Sequence, residues 1–137
     1  MNAVTRILIV DDHDTVREGL RLLLAEEPAL EVVGEAASGE EAISLASELV
    51  PEVILMDVAL PGIDGLEAIR RIRASGARPR ILVLTSFANG PLVEEARSAG
   101  AAGYLFKNVL KEKLLQAIRT VAEGRDSFPA HDRFADR

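Results

Sequence analysis

Three acidic residues follow two short apolar segments and give the sequence its first chemical clue. Asp57 comes directly after Val53-Ile54-Leu55-Met56, and Asp11-Asp12 come directly after the run that ends at Val10. Segments of this kind are typical of buried strands. If the two strands are neighbours, their carboxylates repel by roughly 4 kcal/mol at about 4 Å and an effective dielectric constant near 20. The arrangement therefore calls for a cation, and oxygen ligands favour Mg²⁺. A carboxylate held on such an ion is also a nucleophile of the kind that attacks phosphorus.

The composition limits the classes of protein to which the chain can belong. It has 137 residues, of which 48% are hydrophobic, and this suits one domain with its own core. The absence of Cys excludes disulfides and thiolate metal sites and fits a reducing cytoplasm. No apolar run approaches the roughly 20 residues that span a bilayer, and no signal peptide is visible, so we expect a cytoplasmic protein without membrane contacts. The net charge of −6 argues against DNA binding by this chain alone.

Five apolar runs alternate with five helical patterns, which predicts a parallel sheet with right-handed crossovers. The runs lack clean polar alternation, as expected of strands that are covered on both faces. We expect capping boxes at 15–18 and 38–41, a third helix opened by Asp64-Gly65, and a fourth helix from about Asn89 to Ala99. The fifth helix carries Leu110, Leu114, Ile118 and Val121 at helical spacing. The predicted strands are 6–10, 31–34, 53–56, 80–84 and 103–106.

Polar residues stand at the carboxyl ends of the predicted strands, which is where parallel sheets bind ligands. These residues are Asp11-Asp12, Asp57, Thr85-Ser86 and Lys107. The loop after Asp57 contains two glycines, and we expect either Gly62 or Gly65 to supply a positive φ angle. We therefore expect the chemically useful groups to collect at one edge of the sheet.

Asp11-Asp12, Asp57, Thr85 and Lys107 resemble the conserved set of the receiver domain of bacterial response regulators, over roughly residues 4 to 124. Val10-Asp11-Asp12-His13, Leu84-Thr85-Ser86-Phe87 and the run from Ala99 to Lys107 are similar to the NarL/FixJ (LuxR-type) subfamily. The resemblance implies a flavodoxin-like, doubly wound (βα)5 fold with a five-stranded parallel sheet in the order 2-1-3-4-5. We expect a receiver domain at 1–124 and a tail or the start of a linker at 125–137. Subfamily members usually carry a helix-turn-helix DNA-binding domain after that linker, and this chain ends where the linker would start.

The resemblance also implies a phosphoacceptor and a metal site. Asp57 would accept a phosphoryl group from a phosphohistidine on a sensor histidine kinase. Asp12, Asp57 and the backbone carbonyl of Ala59 would bind Mg²⁺ directly, and Asp11 would act mainly through a metal-bound water. Lys107 would pair first with Asp57 and then with the phosphoryl oxygens.

The same resemblance implies a switch. Thr85 would be drawn toward the phosphoryl group, and Tyr104 would then turn inward beside the fifth strand. The changed surface would favour a homodimer, and DNA would be contacted only through the C-terminal domain. The protein would be a signalling switch and no enzyme, apart from catalysing its own phosphotransfer and autodephosphorylation.

Two alternatives start from the same acidic residues. Asp12-His13-Asp14-Thr15-Val16 fits the DxDx[TV] motif of haloacid-dehalogenase-type phosphatases, with Asp12 as nucleophile and Asp14 as acid/base, although the late acidic pair of that family is missing. A flavodoxin-like mononucleotide binder would need a phosphate-binding loop after the first strand, where this chain has four residues that repel phosphate or bind it poorly. We interpret His13 as a solvated residue beside the site, because imidazole adds little for a hard metal.

Overall fold

The computed structural model describes residues 4–86 and 90–129. Within these residues, five strands and five helices alternate in the predicted order. The strands are β1 (Thr5–Val10), β2 (Leu30–Ala36), β3 (Val53–Met56), β4 (Arg80–Thr85) and β5 (Gly103–Phe106). The helices are α1 (Asp14–Ala25), α2 (Gly39–Leu49), α3 (Gly65–Ala74), α4 (Gly90–Ala99) and α5 (Lys111–Ala122).

The strands form one sheet in the order β2-β1-β3-β4-β5, and each neighbouring pair is parallel. Ile9 of β1 lies beside Leu55 of β3, and Leu55 lies beside Leu82 of β4. The predicted doubly wound, flavodoxin-like fold is therefore confirmed. Because β1 and β3 are neighbours, the residues that follow them meet at the same edge of the sheet.

Helices cover both faces of the sheet, which explains why the strands lack polar alternation. Successive side chains of a strand point to opposite faces. In β1, Leu8 and Val10 join the core shared with α2, α3 and α4, whereas Ile7 and Ile9 join the core shared with α1 and α5. Burying a side chain of this size is worth roughly 1.5–3 kcal/mol. The two cores therefore hold the strand ends, and with them the acidic residues, in fixed positions.

Two of the predicted helix starts are confirmed by their capping hydrogen bonds. The Ser38 hydroxyl accepts a hydrogen bond from the Glu41 N–H at 3.1 Å, and the Asp64 carboxylate accepts one from the Glu67 N–H at 2.8 Å. Each bond satisfies a backbone donor that has no partner within its helix. The predicted start of the fourth helix, Asn89, lies outside the described residues.

The capping box predicted at 15–18 is wrong. Helix α1 begins at Asp14, and His13 takes the N-cap position. The turn before the helix is set instead by Asp11, whose carboxylate accepts the His13 N–H at 2.9 Å. A residue of the acidic group thus also shapes the backbone that leads into α1.

Other bounds shift because of contacts that are distant in sequence. Strand β2 is longer than the predicted 31–34, since Ala36 still pairs with Val10. Leu110, predicted on the inner face of the fifth helix, is instead its N-cap residue and is 69% exposed. Within residues 4–86 and 90–129, no helix combines the length and apolar character that crossing a membrane requires.

Candidate functional site

The carboxylates of Asp11 and Asp57 come together because their strands are neighbours. The Asp57 N–H donates to the Val10 carbonyl at 3.0 Å, and the Asp11 N–H donates to the Ala36 carbonyl at 3.0 Å. Each of the two acidic side chains is only 3% exposed. Backbone hydrogen bonds thus fix both carboxylates where little water reaches them, and each requires a compensating partner there.

Lys107 supplies the compensating charge from the end of β5. Its Nζ lies 2.6 Å from Asp11 Oδ2 and 2.9 Å from Asp57 Oδ2. The Lys107 N–H donates to the Thr85 carbonyl at 2.8 Å, so the ends of β4 and β5 position this side chain. The resemblance to receiver domains predicted the pair with Asp57. The second partner, Asp11, was not predicted, because a strand pattern does not show which oxygens an ammonium group will reach.

The charges of these three groups shift their pKa values in different directions. Burial raises the pKa of Asp57; Lys107 opposes this effect without cancelling it, and the charge of Asp11 adds to it. Burial acts on Asp11 in the same sense, but hydrogen bonds from Lys107 and the His13 N–H outweigh it, so the pKa of Asp11 is lowered. Burial favours the neutral amine of Lys107, yet its two carboxylate partners raise its pKa. Of Asp11 and Asp57, the ionised form is therefore less stabilised at Asp57.

Asp11, Asp12, His13 and Asp57 form a group with the composition of a metal site. One ligand atom from each residue lies within 4.8 Å of the others. Three carboxylates with one ammonium group, that of Lys107, leave an excess of two negative charges. Carboxylate oxygens are hard ligands that suit Mg²⁺ better than a soft metal. The residues present therefore fit a divalent cation, in charge and in chemistry.

His13 is solvated and lies beside the site, as predicted, and it also contacts two of the acidic residues. Its side chain is 61% exposed, but Nδ1 lies 2.9 Å from Asp11 Oδ1 and 3.2 Å from Asp12 Oδ1. The Asp11 carboxylate also accepts the His13 backbone N–H, in a local turn across two residues. The spacing of two residues could have predicted this contact, because in a turn of this type the Asp side chain accepts the backbone N–H of the residue two positions later.

Thr85 and Tyr104, the predicted switch residues, are both completely buried. Thr85 pairs with Phe106 in the β4–β5 register, and the Tyr104 ring contacts the Phe106 ring edge to face, with centroids 5.9 Å apart. Burial, and then the negative charge of Asp57, raise the pKa of Tyr104 to about 12. Tyr104 thus lies in the inward position that the switch prediction assigns to the phosphorylated state. The switch role of both residues stays a prediction.

The loop after β3 wraps closely around the backbone of Asp57. The Ala59 N–H donates to Asp57 Oδ1 at 3.2 Å, whereas a metal contact through the Ala59 carbonyl stays a prediction. Of the two glycines considered for a positive φ angle, Gly62 has it, at +74°. Gly65 is needed for a different reason, since a Cβ there would lie 2.2 Å from the Asp57 carbonyl oxygen. The absence of a side chain at Gly65 thus lets α3 start directly behind the acidic site.

The family model for the response regulator receiver domain matches residues 7–119. This range includes the acidic group, Lys107 and the whole sheet except Thr5 and Arg6 of β1. The chain belongs to the response regulator receiver domain family. It is therefore a receiver domain of two-component response regulators, and such domains are signalling switches rather than catalytic enzymes.

Individual relatives support the same assignment and the predicted subfamily. Response regulator GacA of Pseudomonas aeruginosa is 45% identical over 120 residues, which cover 88% of this chain and 56% of that protein. Transcriptional regulatory protein LiaR of Bacillus subtilis is 44% identical over 119 residues, covering 87% of this chain and 56% of LiaR. The receiver domain thus spans about half the length of the curated relatives it matches. The crystal structure of a LuxR-family two-component response regulator from Aurantimonas has a TM-score of 0.89 and 39% identity, covering 98% of this chain and 94% of that one.

The phosphatase alternative is not supported. The family match places the chain among receiver domains. Asp14, the acid/base of that alternative, has a side chain that is 89% exposed and pairs with Arg17. Asp12, its nucleophile, is more exposed than Asp57, and Lys107 pairs with Asp57 and Asp11. The geometry that suits an activated carboxylate is therefore found at Asp57.

Proposed function

We propose that Asp57 accepts a phosphoryl group from a phosphohistidine on a sensor histidine kinase. The observation that carries this proposal is the contact of the buried Asp57 carboxylate with Lys107 at 2.9 Å, inside an acidic group that fits a divalent cation. In the transfer, the phosphorus–nitrogen bond on the kinase breaks while a bond forms between phosphorus and an Asp57 oxygen. The imidazole of the kinase is the leaving group.

Asp12, Asp57 and the Ala59 carbonyl would hold Mg²⁺, with Asp11 acting through a water ligand. When bound, the ion would neutralise negative charge on the transferred group and help to align it. Lys107 would keep its contact with Asp11, and a hydrogen bond to a phosphoryl oxygen would replace its hydrogen bond to Asp57. The geometry needs no other general acid or base, because this reaction depends mainly on positioning and charge neutralisation.

The phosphoryl group would act on the fold through its charge of roughly −1.5 to −2. Thr85 would donate its hydroxyl to a phosphoryl oxygen, and Tyr104 would be held inward. The altered surface of α4 and β5 would favour a homodimer, and autodephosphorylation would return the domain to its starting state. The receiver domain would occupy 1–124 with a tail or linker at 125–137. It would control transcription in the cytoplasm through a C-terminal DNA-binding domain.

Phosphorylation with a small phosphodonor such as phosphoramidate tests the assignment of Asp57. With Mg²⁺ present, intact mass spectrometry should show one added phosphoryl group on the wild type, and peptide mapping should place it on Asp57. Asp57→Asn should abolish the labelling, because an amide is a poor nucleophile. Asp14→Asn is the matched control, since Asp14 is exposed and lies outside the acidic group.

Asp57→Asn tests the phosphoacceptor, and a third variant, Asp12→Ala, tests the metal site. Labelling of Asp57→Asn at the wild-type level would contradict the proposal. Asp12→Ala should weaken Mg²⁺ binding by at least about tenfold while leaving Asp57 in place, since it deletes a direct ligand. Equal Mg²⁺ affinity of Asp12→Ala and wild type, measured by calorimetric titration, would remove Asp12 from the metal site.

A further inference from the structure

The segment after α5 pairs with β5 as if it were a further strand of the sheet. We define residues Arg125–Pro129 as the strap. The Ser127 N–H donates to the Ala102 carbonyl at 2.8 Å, and the Tyr104 N–H donates to the Ser127 carbonyl at 2.9 Å. These bonds form a parallel bridge between Ser127 and Gly103. A Cβ on Gly103 would lie 2.7 Å from the Ser127 carbonyl oxygen, so a glycine is what allows the strap to approach β5.

Two arginines from the body of the domain hold the strap at either side of this bridge. The Arg80 guanidinium, at the start of β4, donates to the Arg125 carbonyl at 2.9 Å and to the Asp126 carboxylate at 3.1 Å. The Arg97 guanidinium of α4 lies over the Phe128 ring, 4.0 Å from its centroid. A cation placed over an aromatic face is attracted to it. The strap is thus attached at three successive points, and contacts from β4, β5 and α4 all contribute.

The strap lies against the residue that the proposed switch uses. Phe128 packs on the core that contains Tyr104. A pocket of about 310 Å³ is lined by residues of both the strap and β5, among them Tyr104, Phe106 and Phe128. The Tyr104 backbone is hydrogen-bonded to the strap, while its ring lies in the core beside Phe106. Because Tyr104 and Phe128 line the same pocket, a movement of the Tyr104 ring out of the core would change the packing around Phe128 of the strap.

We propose that the docked strap stabilises the inward position of Tyr104 and thereby favours phosphorylation of Asp57. This inference rests on the proposed function, in which inward Tyr104 belongs to the phosphorylated state. Coupling between two sites is reciprocal in binding free energy. A docked strap would therefore raise the affinity of the site for a phosphoryl mimic, and a bound mimic would tighten the strap.

The test compares two substitutions of Ser127 by titration with beryllofluoride in the presence of Mg²⁺. Ser127→Pro removes the N–H that binds the Ala102 carbonyl, and it should weaken beryllofluoride binding about fivefold or more. Ser127→Ala keeps both backbone groups and should bind as wild type. Phe128→Ala removes the ring that lies under Arg97, a different contact of the strap, and it should also weaken beryllofluoride binding.

Two measurements on the strap itself complete the experiment. Hydrogen exchange at the Ser127 and Tyr104 amides should slow when beryllofluoride binds to wild type. Tyr104 is the single Tyr of the chain, so its absorbance titration should move toward the ordinary pKa in Ser127→Pro and stay unchanged in Ser127→Ala. Wild-type beryllofluoride affinity in Ser127→Pro, or an unchanged Tyr104 titration there, would overturn the inference while leaving the proposed function intact. Failure of wild type to bind beryllofluoride would overturn both.

Discussion

Replacing Lys107 with Met removes the ammonium group between two buried carboxylates while keeping a side chain of similar length. In the wild type, Nζ lies 2.6 Å from Asp11 and 2.9 Å from Asp57. Without this group, two carboxylates that are each only 3% exposed in the wild type lose their shared cation. We expect the substitution to destabilise the metal-free protein strongly at neutral pH.

The size of the effect follows from the distances. Ligand atoms of the acidic group lie within 4.8 Å of one another, so two carboxylates repel by about 3.5 kcal/mol or more at an effective dielectric constant near 20. Proton uptake limits this cost, because protonating a carboxyl with the ordinary pKa of 3.8 at pH 7 requires about 4 kcal/mol. We therefore expect Lys107→Met to lower the free energy of unfolding by about 2–4 kcal/mol.

The loss should depend on pH in a definite direction. Without Lys107, the pKa of Asp57 in the folded protein would rise further above its unfolded value, so the folded state would bind more protons than the unfolded state. Stability is then recovered as the pH falls through the folded pKa. Lys107 also helps to lower the pKa of Asp11, and that contribution is present at neutral pH and lost in acid. Both effects make the deficit of Lys107→Met largest at neutral pH and smaller in acid.

Urea denaturation followed by far-ultraviolet circular dichroism measures this deficit, with and without Mg²⁺. Lys113→Met is the matched control, since Lys113 is exposed on α5 and its replacement should change stability by at most about 0.5 kcal/mol. Mg²⁺ should stabilise Lys107→Met more than wild type. A ligand that binds only the folded state stabilises it, and in the variant Mg²⁺ would bind carboxylates that have lost their ammonium partner. A Lys107→Met protein that matches Lys113→Met at every pH, with no larger response to Mg²⁺, would refute this account of the site.

Gly65→Ala, with Gly19→Ala as its control, tests the backbone around the site, and Val50→Gly tests the backbone at a helix end. Gly65→Ala should lower the free energy of unfolding by about 1–3 kcal/mol, because the new Cβ would lie 2.2 Å from the Asp57 carbonyl oxygen. Gly19→Ala, in an open position of α1, should instead raise it by about 0.5–1 kcal/mol; equal urea midpoints for these two variants would contradict the close approach at Gly65. Val50→Gly should raise the free energy of unfolding by about 1 kcal/mol, because Val50 ends α2 with a φ of +47° that is unfavourable for a β-branched residue. A lower thermal midpoint for Val50→Gly would count against strain at that helix end.

The strands β1, β3 and β4 were predictable because they are largely buried on both faces. Such burial leaves a continuous apolar run, and the predicted bounds 53–56 of β3 are those observed, as are the bounds 103–106 of β5. Strand ends were less predictable where a neighbouring strand decides them. Ala36 belongs to β2 because it pairs with Val10 and accepts the Asp11 N–H. Nothing in the local pattern around Ala36 carries that information.

The members of the acidic site were predictable, but most of their contacts were not. A strand order in which β1 lies next to β3 brings Asp11 and Asp57 together, so residue type and position were enough to predict the edge of the sheet. Lys107 reaches both carboxylates, and the choice of partners depends on distances between separate strands. The strap has no periodic pattern, since within residues 125–129 Ser127 alone pairs with β5, and Arg80 of the neighbouring strand β4 binds the first residue of the strap.

Lys107 links the charge of the acidic site to the strand that carries Tyr104. In the unmodified protein its ammonium group serves Asp11 and Asp57 together. A phosphoryl group on Asp57 would bring new negative oxygens to the same ammonium group, and the balance between its two partners would change. The backbone of Lys107 follows β5 directly and is hydrogen-bonded to Thr85. A shift of the Lys107 side chain would therefore act on β5 near Tyr104. Because the Tyr104 N–H is hydrogen-bonded to the strap, a change of charge at Asp57 would be transmitted through β5 to the strap.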